Sequence, residues 1–148
     1  MLQPFLHEAL IFHHQSFSSK EELFSHIQQE ALKSGYITEQ FEEKIAEREK
    51  SFPTGLEVGN LNIAIPHTDP EYVLKQFIAI YTLKEPIKFR RMDDPSADTA
   101  VSIVFVLGLN EPHAQLEVLQ DLMAKLQDQN FISDIHQATS IQKIIEKF

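Results

Sequence analysis

Apolar positions in this chain follow two different periods. From Gln76 to Leu83, around Phe-Ile-Ala-Ile-Tyr, and again from Ala100 to Leu107, they run almost unbroken. Runs of that length predict strands covered on both faces, the centre of a sheet. Leu10 to His14 and Ile87 to Arg90 are shorter and more polar, which predicts outer strands. A further strand ends in Leu61-Asn62-Ile63-Ala64-Ile65-Pro66-His67. Small and branched residues alternate there up to a proline that has no backbone donor, so ladder pairing is expected to stop at Pro66 and to leave His67 in the turn beyond.

Elsewhere the spacing is helical. Ser19 with Glu22 forms a capping-box pattern, and Leu23, Phe24, Ile27 and Ala31 then recur until Gly35, which predicts a helix from Lys20 to Ser34. A second helix follows Thr38, with Phe41 and Ile45 on one face and Glu42, Glu43, Glu47 and Glu49 mostly on the other; it should end before Pro53 and Gly55. Leu116, Leu119, Met123 and Leu126 mark one face of a third helix, His113 to Gln127, opening near Pro112. Phe131, Ile132 and Ile135, and then Thr139 with Gln142 ahead of Ile141, Ile144, Ile145 and Phe148, predict two short closing helices. No repeat or linker interrupts the pattern; the Asp-, Pro- and Ser-rich stretch from Met92 to Asp98 reads as a loop. The elements sum to one α/β domain over residues 1–148, with a mixed parallel and antiparallel sheet of about five strands flanked by helices on both faces.

Composition narrows the chemistry. A chain of 148 residues suffices for one sizeable core, and no apolar stretch is long enough to insert into a membrane. The start, Met1-Leu2-Gln3-Pro4-Phe5, lacks the basic residues and small-residue cleavage site of a secretory signal, so a cytoplasmic location is expected. With no cysteine the chain has no disulfide, no thiolate nucleophile and no thiolate metal site. A formal net charge of -9 opposes nucleic-acid binding, and Lys88, Arg90 and Arg91 form only a small basic cluster, read as a solvated strand edge.

Three residues could carry chemistry. His67 follows a strand end, where open α/β sheets place their ligands, although a Pro-His step in a loop is also an ordinary surface feature. His113 follows Pro112 at a helix start, where unpaired N–H groups attract phosphate and the dipole favours a neutral imidazole; the alternative is a polar first-turn residue. Arg48 shares the stripe of Phe41 and Ile45, so either its stem packs while its head reaches water or its guanidinium forks onto phosphate oxygens, with Glu47 and Glu49 offering local salt bridges. Other arrangements fail on spacing. No His-Glu-x-x-His pairing points to a metal, no Gly-x-Ser-x-Gly elbow presents a serine, and four glycines make no phosphate-cradling loop. Asp93 and Asp94 beside Pro95 predict a turn.

Taken together, Arg48-Glu49-Lys50, Phe52-Pro53-Thr54-Gly55-Leu56, Ile63-Ala64-Ile65-Pro66-His67 and His113 with Leu116 and Leu119 resemble the IIA component of the fructose/mannitol/galactitol class of the bacterial sugar phosphotransferase system. The likeness extends over nearly the whole chain and is greatest to the galactitol-type subgroup. It implies a cytoplasmic phosphocarrier: a histidine takes a phosphoryl group from HPr and passes it to a cysteine of a IIB partner, which works with a IIC permease, without metal or bound nucleotide. By the same resemblance His67 matches the phosphorylated histidine, His113 the second active-site histidine that orients the phosphate, and Arg48 the phosphate counter-charge. A regulatory module similar to the nitrogen-related IIA proteins, whose phosphorylation state controls protein binding, shares this pattern. Where family members usually carry Gly, Ala or Cys after the reactive histidine, this chain has Thr68 and then Asp69, which brings negative charge near an incoming anion.

Overall fold

The computed structural model describes residues 2–148. Five strands, β1 (Ile11–Gln15), β2 (Gly55–Glu57), β3 (Asn62–Ala64), β4 (Phe77–Arg90) and β5 (Asp98–Gly108), form one sheet in the order β1-β4-β5-β3-β2. β1 runs parallel to β4 and β3 parallel to β5, while β4/β5 and β2/β3 are antiparallel. Five helices accompany them: α1 (Lys20–Lys33), α2 (Phe41–Ser51), α3 (Pro112–Lys125), α4 (Gln129–Gln137) and α5 (Ile141–Ile145). The mixed, two-faced sheet expected from the apolar pattern is the sheet observed.

Alternation along the two long strands builds two cores. Phe77, Ala79, Tyr81 and Leu83 of β4, with Val104 and Val106 of β5, pack against Leu23, Phe24 and Ile27 of α1 and Phe41 and Ile45 of α2. Their neighbours Ile78, Ile80, Ile103, Phe105 and Leu107 face Val118 and Leu122 of α3, Ile132 and Ile135 of α4 and Ile144 of α5. A period of two thus sends successive residues to opposite helical layers, which is why these strands read as unbroken apolar runs.

Several local expectations are corrected. Ile87 to Arg90 is no outer strand: it is the second half of β4, paired with Val101 to Asp98 of β5 after an irregularity between Thr82 and Ile87. The outer positions belong to β1 and β2; Gly55 of β2 is required because a Cβ there would stand 2.6 Å from the Arg90 carbonyl oxygen. On α3 the buried residues are Val118 and Leu122, with Leu126 just beyond, whereas Leu116 is 57% exposed. Ser140, rather than Thr139, caps α5 by accepting from the Lys143 N–H at 3.2 Å. The capping of α1 by Ser19 is as read, its hydroxyl accepting from the Glu22 N–H at 3.2 Å. That helix stops where Gly35 adopts φ 80, letting the Tyr36 N–H reach the Ala31 carbonyl at 2.9 Å. No helix among the described residues is long and apolar enough to cross a membrane.

Candidate active site

A relay of hydrogen bonds joins the end of α2 to the turn after β3. The Glu49 carboxylate, 3% exposed, accepts from the Thr54 backbone N–H and from the Thr54 hydroxyl, both at 2.8 Å. Burial pushes its carboxyl above the ordinary value of 4.5, while the Thr54 bonds and the charge of Lys20 restrain the rise. The Thr54 carbonyl accepts from the Ile65 N–H at 3.3 Å. The Ile65 carbonyl in turn accepts from His67 Nδ1 at 2.9 Å. Since a carbonyl oxygen only accepts, Nδ1 carries the proton, and the neutral ring keeps its lone pair on Nε2.

Pro66 ends β3 only in part. It has no N–H to give, but its carbonyl accepts from the Leu107 N–H at 3.0 Å, and His67 forms an isolated parallel bridge with Leu107. His67 is therefore pinned beside the last residues of β5, at the carboxyl ends of a parallel pair of strands. That is the crevice position anticipated for it.

Arg48, His67, Asp69, Leu107, Gln115 and Leu119 border one cleft of about 260 Å³. Arg48 reaches it from the last turn of α2, where a cation suits the negative end of the helix dipole. Its guanidinium lies 4.8 Å from the centre of the Phe52 ring, its Nη1 is 3.5 Å from Asp69 Oδ1, and its Nε is buried without a hydrogen-bond partner. Neither glutamate expected to pair with it does so. Glu47 lies 3.5 Å from Lys44, and Glu49 is committed to Thr54.

Arg48 and His67 thus share a cleft that His113 does not border. The His113 imidazole is 85% exposed, with Nε2 at 3.0 Å from Glu117 Oε1 one turn along α3. From the same helix start it is Gln115 that faces the cleft, donating from Nε2 to the Leu109 carbonyl at 3.3 Å. Sequence reasoning passed over Gln115 and the buried role of Glu49, although both carried a signal. Gln115 lies four residues before Leu119, and Glu49 four after Ile45 and eight after Phe41. The basic cluster is engaged with neighbouring carboxylates: Lys88 and Arg90 each approach Asp98 at 3.8 Å, and Arg91 forks onto Asp93 at 2.9 and 2.7 Å. Among the described residues, no three His, Asp or Glu side chains are grouped so as to hold a metal ion.

Comparison with known proteins adds four findings. The family model described as "Phosphoenolpyruvate-dependent sugar phosphotransferase system, EIIA 2" matches residues 4–148. The galactitol-specific EIIA component of the phosphotransferase system of Escherichia coli K12 is 31% identical over 120 residues, covering 81% of this chain and 79% of that protein. Among solved structures, enzyme IIA for mannitol from Escherichia coli, in complex with phosphorylated enzyme IIB, superposes with a TM-score of 0.77 at 25% identity over 96% of this chain and 95% of that one. The nitrogen regulatory protein IIA-Ntr of Neisseria meningitidis shares the fold with a TM-score of 0.80 at 23% identity, over 98% and 97% of the two chains.

Proposed function

This chain belongs to the EIIA type 2 family of the phosphoenolpyruvate-dependent sugar phosphotransferase system, and on that premise we propose that His67 takes a phosphoryl group from phospho-HPr and passes it to a cysteine of a IIB component, serving sugar or polyol uptake. The observation that carries this reading is the joint presence of His67 and Arg48 in one cleft, with His67 Nδ1 tied to the Ile65 carbonyl. That bond leaves Nε2 as the nucleophile. Its lone pair forms the new bond to phosphorus as the donor's N–P bond breaks, and the donor imidazole keeps the released pair. Positive charge arising on the His67 ring is stabilised through Nδ1–H by the Ile65 carbonyl. Arg48 balances the phosphoryl oxygens, and Phe52 beneath it limits the directions its fork can take. In the onward step the Nε2–P bond breaks, its pair returns to Nε2, and a thiolate of the IIB partner supplies the pair for the S–P bond.

His113 is assigned the orienting role in this reading. To fill it, its side chain must leave Glu117 and rotate toward the phosphoryl group. Galactitol-type transport is favoured by the 31% identity to the galactitol-specific component. The likeness to the nitrogen regulatory protein concerns the fold and adds no second function.

Incubation with phosphoenolpyruvate, enzyme I and HPr, followed by intact mass, tests the assignment. Wild type should gain one alkali-stable, acid-labile phosphoryl group that His67→Ala cannot accept. Arg48→Gln should accept it roughly a hundredfold more slowly, the usual scale for removing one charge-stabilising donor. Full phosphorylation of the His67→Ala protein would remove His67 from the mechanism.

A further inference from the structure

Asp69 stands two residues after His67 and borders the same cleft. Its Oδ1 is 3.5 Å from Arg48 Nη1, and the side chains of the pair are 58% and 40% exposed. An ion pair this long and this hydrated holds weakly. Arg48 is kept in place instead by the Phe52 ring, and with Nε buried and unpartnered its donors are far from saturated. A phosphoryl group brings nearly twice the charge of a carboxylate and three acceptor oxygens, and it suits the guanidinium fork better than one carboxylate oxygen at 3.5 Å.

We propose that Asp69 is the resident counter-ion of Arg48, standing in the cleft where the phosphoryl group will be and displaced from Arg48 when that group arrives. The proposal rests on the reading of His67 as the phosphoryl acceptor and names a control on that site. Asp69 forms no covalent bond and takes no proton. Before transfer it neutralises the guanidinium that Phe52 holds over the cleft and excludes competing anions. After transfer its negative charge remains beside the phosphorylated ring, opposes it, and raises the tendency of the phosphoryl group to leave for the next acceptor. Asp69 is in this sense a positioning and charge-setting residue, acting on phosphate through Arg48 and through space.

Asp69→Asn keeps the shape and removes the charge. Inorganic phosphate binding to the unphosphorylated protein, followed by imidazole NMR of His67 at low ionic strength, should tighten on the order of threefold to tenfold in this variant. The gain should shrink with added salt, vanish when Arg48→Gln is also present, and be absent from Asp69→Glu. The equilibrium between phospho-HPr and this protein should move toward the phosphorylated form by a similar factor. Unchanged phosphate affinity in Asp69→Asn, or the same gain with and without Arg48, overturns the proposal. Because phosphate binding needs no donor protein, the two readings fail separately. A wild type that phospho-HPr does not phosphorylate defeats the carrier assignment, while a tightened phosphate site still supports the counter-ion. A wild type phosphorylated on His67 with an indifferent Asp69→Asn does the reverse.

Discussion

Glu49 places a carboxylate where the helix stripe would otherwise carry a hydrocarbon, and it is retained there by two bonds from a single threonine. Removing it orphans both Thr54 donors, so Glu49→Ala is expected to cost roughly 2–4 kcal/mol in urea unfolding. Titration supplies a finer test. Burial raises the folded value of Glu49 above 4.5, so protonation favours the fold. The contribution is complete below pH 4.5 and is lost as the pH rises through the raised folded value. Measured against Glu49→Gln, which does not titrate, wild-type stability should therefore fall as the pH rises from 4.5 through the raised folded value; a difference independent of pH would contradict the assignment. Glu49 was visible in the spacing of Phe41 and Ile45, yet its charge argued for solvent. Only the folded loop shows Thr54 supplying two donors to it. The same limit applied to Arg48, whose stripe position was legible while its partners, Phe52 and Asp69, were not.

At the scale of elements, the helix α3 shows what periodicity leaves open. Leu116, Leu119, Met123 and Leu126 define one stripe and Val118, Leu122 and Leu126 another, rotated by part of a turn. Both satisfy helical spacing; the sheet surface buries the second fully and takes Leu119 and Met123 of the first only in part, leaving Leu116 exposed. Leu122→Ala should accordingly destabilise by about 2–5 kcal/mol, and Leu116→Ala by less than about 0.5 kcal/mol, in parallel denaturant titrations. Equal costs would place the core face where the sequence pattern alone put it. The strand β4 makes a similar point. Lys84, Glu85 and Pro86 break the apolar run and suggest two strands, but the irregularity between Thr82 and Ile87 lets one strand absorb the polar interruption and resume its pairing with β5. The three residues of β2 are too few for a period to register, and that strand exists because β3 pairs with it and the Met92 N–H donates to the Gly55 carbonyl at 2.8 Å.

Across the whole molecule, β4 and β5 supply alternate side chains to both helical layers, so neither layer can lose its packing without exposing the back of the other. Unfolding is expected to be a single transition. Tyr36, Tyr72 and Tyr81 all belong to the layer that contains α1 and α2, so tyrosine fluorescence reports on that side while far-UV circular dichroism reports on the whole. Coincident urea transitions by the two signals are the expected outcome, and separated midpoints would show that the α3–α5 layer melts on its own.

The order of residues set the periods, and through them the mixed sheet, its helices on both faces and the position of His67 just past a strand end, because these follow from neighbours a few positions apart; that Pro66 still pairs through its carbonyl did not follow from it. Which side chains share the cleft with His67 was settled by the tertiary fold. Contacts such as Arg48 with Asp69, or Gln115 with the cleft, join segments whose separation in the chain carries no periodic signal. An exposed side chain at a helix start, such as His113, turns to whichever partner lies in reach; here that is Glu117, four residues along its own helix.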